Sequence, residues 1–130
     1  MDGLIGPGLF PRNGVAAGSP FAPYELCLML LPVIVKVREA KLGVQLSIHM
    51  DDIMVSAQCE QDVAISRVSK AAALIQASVE ELGFVLERSK GFCLASSDGM
   101  GKALQEALGV EGGALVDSVK RLGVDHWAGF

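Results

Sequence analysis

Cysteine is sparse in this chain. Cys27, Cys59 and Cys93 are odd in number and far apart. No CxxC pair exists, so neither a disulfide framework nor a zinc ribbon is suggested. The expectation is reduced, buried thiols in an intracellular protein of unspecified compartment. Histidine is sparser still, and His49 and His126 form no HExxH-type pair. Basic charge is not in excess. Eleven Lys and Arg face fifteen Asp and Glu, for a net charge of −4, which excludes a strongly basic nucleic-acid arm. Long hydrophobic runs are missing too. The longest, Leu26 to Val35, falls short of the roughly 20 residues a membrane span needs, and Pro32 interrupts it. No membrane association is expected. The start, MDGLIGPGLFPRNG, has no basic segment ahead of an apolar stretch, so no signal peptide is expected.

What is present is apolar. Hydrophobic residues make 51% of the 130 and charged residues 20%, which excludes a disordered tail. A chain of this length is one domain or a piece of one. It has material for one modest core that buries roughly two-thirds of the unfolded surface.

Five glycines and two prolines within residues 1–19 read as loop. Ser19 suits a helix cap and Pro20 its first turn. From Phe21 to about Ala40 the chain predicts a mostly buried helix, kinked or ended at Pro32. Val44 to Ile48 and Ile53 to Val55 are short apolar strands around His49-Met50-Asp51-Asp52, which predicts a β-hairpin with an acidic tip. Ala64, Val68, Ala71, Ile75, Val79 and Leu82 step by three or four. They predict a helix over 60–82 that stops at Gly83. Phe84 to Glu87 and Phe92 to Ala95 read as strands joined by a turn at Arg88-Ser89-Lys90-Gly91. Met100 to Leu108 reads as a short helix and Val116 to Val124 as a last strand. Together these predict an α+β fold, an antiparallel sheet with helices packed on one face.

The chemistry concentrates in the hairpin. Asp51 and Asp52 are adjacent carboxylates that repel each other at the tip of strands that favour burial. A divalent cation would relieve that cost, and hard Mg²⁺ prefers carboxylate oxygens and phosphates. Two such ions about 4 Å apart clamp the attacking and leaving oxygens of a phosphoryl transfer. The plainer reading of the same pair is a solvated turn.

The run His49-Met50-Asp51-Asp52-Ile53 resembles the aromatic-x-Asp-Asp signature of reverse transcriptases. Its neighbours follow in the family's order. Residues 14–23, GVAAGSPFAP, resemble the segment that precedes a long palm helix. Leu82-Gly83-Phe84-Val85-Leu86 with Lys90 resembles a downstream segment, and Val119 to Val124, with Leu122-Gly123, resembles the strand ending in "YLG". The matches span residues 14–124, in the style of non-LTR retrotransposon and group II intron enzymes. The resemblance implies a polymerase palm that adds deoxynucleotides to a primer 3′-hydroxyl by two-metal catalysis with Mg²⁺. Its partners would be an RNA template, a DNA primer and dNTP. Asp51 and Asp52 would hold the metals, and Met50 would lie near the primer terminus. Gly18 and Pro20 would sit beside template and nucleotide. Lys90 would protonate the leaving pyrophosphate.

Departures from the pattern bear on activity. His49 stands where the family has Tyr or Phe, Ala17 where it has Gln, Ala22 where it has Ser, and Glu87 near its Asn. The family also needs a metal-binding Asp on an earlier strand, and the only Asp upstream is Asp2, in a Gly-rich stretch. Residues 1–50 carry four bases and three acids, and residues 51–130 seven and twelve, so no basic groove is visible. The expectation is a truncated palm that is inactive alone and self-associates through bare surfaces. The alternative is a non-catalytic α+β interaction or ligand-binding module.

Overall fold

A computed structural model describes residues 18–121 and 124–127 of the chain. Helix α1 covers Ala22–Glu39. The Ser19 hydroxyl accepts from the Phe21 N–H at 3.2 Å, yet Phe21 is the cap, and Pro23 rather than Pro20 enters the first turn. Of the kink or end expected at Pro32, the end does not occur, and α1 runs through it. Pro32 and Leu28, whose carbonyl loses its N–H partner, are both exposed, so water can take up the lost bond. The burial expected along this helix is confined to one stripe, Leu30, Val33 and Val37.

Strands β1, Gln45–His49, and β2, Asp52–Ser56, form the anticipated antiparallel hairpin. Leu46 faces Val55 and Ile48 faces Ile53 in the register. Helix α2 follows over Gln61–Glu81. Of its predicted stripe, Ala64, Ala71, Ile75 and Val79 are buried and Val68 and Leu82 partly so. Ser78 is also buried, and its hydroxyl donates to the Leu74 carbonyl at 2.7 Å, which removes the cost of an unmet polar group. The core joins Leu30, Val33 and Val37 of α1 to Ile75 and Val79 of α2. Leu46, Ile48, Ile53 and Val55 of the hairpin pack onto it. Both helices therefore cover one face of the hairpin, and the class is α+β. An exposed Lys36–Glu81 ion pair ties the C-terminal ends of the helices, where solvent leaves it little net strength.

The end of α2 redirects the chain. The Gly83 N–H donates to the Glu80 carbonyl at 2.9 Å and the Phe84 N–H to the Val79 carbonyl at 3.2 Å, with Gly83 at φ +83. This double bond pattern folds Phe84 back onto the core. Phe84 to Glu87 consequently forms no strand, contrary to the sequence expectation. A 3₁₀ turn, Arg88–Lys90, leads to β3, only Phe92–Cys93. Helix α3, Asp98–Leu108, is capped by the Ser97 hydroxyl, which accepts from the Met100 N–H, and ends at Gly109. A second 3₁₀ turn, Gly109–Gly112, precedes β4, Ala114–Leu115, which pairs in parallel with β3. Gly113, at φ +65, lies so close to the Gly91 carbonyl that a Cβ would collide with it. The single last strand expected over 116–124 is instead a hairpin of β5, Ser118–Arg121, and β6, Val124–Trp127. The described strands thus form three two-stranded ladders. Leu122-Gly123, residues 14–17 and Asp2 lie outside the described residues.

Candidate functional site

A two-residue loop closes the β1–β2 hairpin, with His49 directly across from Asp52 and Met50-Asp51 between them. Period-two alternation sets the faces. Ile48 and Ile53 turn to the core, so His49 and Asp52 share the outer face. Cross-strand neighbours of this kind hold their Cβ atoms about 5 Å apart. Asp51 is exposed in the loop itself. The hairpin therefore gathers Met50, Asp51 and Asp52 at one tip, with His49 beside them.

Met50 has φ +52, in the left-handed region. Two-residue hairpin loops need positive φ at the first central position, and glycine usually supplies it. A methionine there holds strain of about 1–2 kcal/mol, offset by the paired strands on either side. Met50 is also exposed, at 46%, so the strained residue presents its side chain next to the carboxylates.

The other predicted site residues stand on separate segments. Gly18, at φ +85, and exposed Pro20 form the entry to α1. Lys90 is exposed on the Arg88–Lys90 turn, which packs against the Gly109–Gly112 turn. Beside it, Glu87 accepts from the Ser89 hydroxyl at 2.6 Å and the Ser89 N–H at 3.3 Å. Those two bonds, and then the Lys90 charge, hold the Glu87 carboxyl below its ordinary range. The residue that sequence reasoning treated only as a departure is His49. Counting a two-residue loop back from Asp52 places it opposite that carboxylate, and this spacing was the available signal.

The donor set bears on which ion the tip suits. Asp51 and Asp52 are exposed residues that carry hard carboxylate oxygens. That matches Mg²⁺, which keeps several waters and takes one or two protein carboxylates together with substrate phosphates. Among the described residues, no three His, Cys, Asp or Glu side chains gather as a full protein cage. The described helices include none long and apolar enough to cross a membrane.

The thiols divide. Cys27 and Cys59 are exposed, against the expectation of burial, and Cys93 is buried. Cys27 sits on the solvent side of α1, and Cys59 in the link before α2. Cys93 donates to the Gly112 carbonyl at 2.8 Å, and burial pushes its thiol pKa up. Its burial and raised pKa are those of a packed thiol. Compared with protein-family models, curated proteins and solved structures, the chain matches none.

Proposed function

We propose that this chain is the palm portion of an RNA-directed DNA polymerase, with the β1–β2 tip as its metal-binding turn. One observation carries the reading. Asp51 sits on, and Asp52 directly after, a strained two-residue turn, Met50 at φ +52, mounted on a helix–hairpin–helix core. Strain kept at an exposed acidic turn is a signature of functional sites. The order of segments supports the same reading, since the entry loop at Gly18 and Pro20, the long helix, the acidic hairpin and Lys90 follow the sequence of the reverse-transcriptase motifs. In that role the carboxylates would hold Mg²⁺, which supplies charge neutralisation for phosphoryl transfer, and Asp52 would be oriented by its place opposite His49. Lys90 would supply a proton to the departing pyrophosphate oxygen. RNA template, DNA primer and dNTP are the proposed substrates of the complete enzyme. This chain alone is expected to be inactive, because among the described residues no third carboxylate joins the acidic pair, as the family's chemistry requires.

The test is thermal unfolding with and without millimolar Mg²⁺ or Mn²⁺. The wild type should gain about 3 °C in Tm, as binding only to the folded state shifts the equilibrium. Asp51→Asn combined with Asp52→Asn should gain nothing. A second reading, a non-catalytic interaction module, draws on the exposed apolar side of α1. Under it Asp51→Asn alone raises the Tm by removing like-charge repulsion, and divalent ions leave the wild type unchanged.

A further inference from the structure

Helix α1 has two apolar sides. Leu26, Leu30, Val33 and Val37 face the core. Opposite them run Phe21, Tyr24, Leu28, Leu31 and Val35, with 66%, 71%, 66%, 47% and 49% of their surface exposed. The steps between these five are three, four, three and four residues, and the next step of three reaches Arg38. That is the spacing of heptad a and d positions, the seam of a two-helix coiled coil. Helix α2 and the hairpin together cover the first stripe, and among the described residues nothing covers the second.

We propose that α1 is the dimerisation helix of this chain, pairing antiparallel with α1 of a second copy. The seam exposes about 600 Å² of apolar-rich surface, given the size of these side chains. Two copies would bury about 1,200 Å², the lower bound for a specific, stable interface. A seam that pairs with itself about a two-fold axis needs no other partner. Antiparallel register sets each a position against a d position. Tyr24 then meets Val35 of the second copy, Leu28 meets its Leu31, and Phe21 meets its Arg38. The last contact places a guanidinium on an aromatic ring. Parallel register would instead stack Arg38 on Arg38 and align the two helix dipoles, both unfavourable. The proposal uses no residue of the acidic hairpin, so it stands or falls apart from the polymerase reading.

Sedimentation equilibrium on the full reduced chain tests it. The wild type should show a monomer–dimer equilibrium with Kd of about 1–10 µM. Leu28→Glu, and separately Leu31→Glu, should weaken it about a hundredfold, because each buries two unpaired charges in the seam. Ala73→Glu, on the exposed side of α2, should leave it unchanged. Circular dichroism of each variant must match the wild type, and either seam variant that folds suffices. Register is read in a Cys27→Ser, Cys59→Ser background. Tyr24→Cys and Val35→Cys chains should oxidise to the mixed disulfide and not to the two homodimers. A wild type that stays monomeric at about 100 µM overturns the proposal and returns the seam to residues 1–17 or to another protein. A dimer that survives both folded seam variants, or rapid Tyr24 homodimers, overturns it equally.

Discussion

At Met50 the chain holds φ +52 with a side chain that is nearly half exposed. Replacing it with glycine removes the left-handed penalty but adds freedom to the unfolded chain. The relief is larger than the added freedom, so Met50→Gly should stabilise the protein by about 0.5–1 kcal/mol, read as a higher urea midpoint at constant slope. A lower midpoint would mean that the side chain, and not the backbone, sets the turn. Cys93 makes a different statement about one residue. Its thiol pKa is raised in the fold by burial. The neutral form is favoured when folded, so the stability this provides is complete below the unfolded thiol value of about 8.5 and is lost as pH rises toward the folded one. Cys93→Ala loses the bond to the Gly112 carbonyl and some packing at neutral pH. The stability gap between wild type and variant should therefore narrow in denaturant titrations as pH rises above about 8.5. A gap that stays constant to pH 10 would show that Cys93 has an ordinary thiol.

Elements whose burial repeats at their own period were legible in the sequence. The hairpin was, because two short apolar runs flank the acidic turn, and Leu46, Ile48, Ile53 and Val55 all reach the same core. Helix α2 was, because its stripe and its stop at Gly83 point to one answer. Phe84 to Glu87 was not, although its residues favour strands. The reversal bonds at Gly83 and Phe84 commit Phe84 to the helix end, and a strand also needs a partner in register. The β3–β4 pair was hidden for a related reason. Two residues on each side meet across α3, and the meeting depends on Gly91 and Gly113 approaching without side chains between them. Pro32 does not end α1, because on the exposed side of the helix water can take up the lost bond. In the candidate site, the adjacent carboxylates could be found by reading along the chain. The facing of His49 and Asp52 depended on the length of the loop, and the strain at Met50 depended on a backbone angle that composition does not encode.

For the whole molecule, charge and shape set what the acidic tip can meet. Eleven basic residues against fifteen acidic ones give −4, and a dimer through α1 would double that deficit. Nucleic-acid affinity comes chiefly from Lys and Arg neutralising phosphates and releasing counterions. Arg38 belongs to the proposed α1 seam and Lys36 is paired with Glu81, so two of the eleven are committed to other contacts. Arg67 leans its guanidinium on the Gly43 carbonyl at 3.4 Å. What remains is distributed along the chain and outnumbered by carboxylates. The chain by itself should therefore bind an RNA–DNA primer-template with a Kd weaker than about 100 µM at physiological salt, the weak end of non-specific binding. Fluorescence anisotropy across a salt series measures this directly. The polymerase reading is compatible with that weakness, because it assigns the grip on template and primer to basic surfaces outside this chain and leaves to Asp51 and Asp52 only the ion. Binding tighter than about 1 µM with a steep salt slope would require a basic groove that 130 residues with this charge balance do not show in their sequence, and the assignment of the grip to other surfaces would fall.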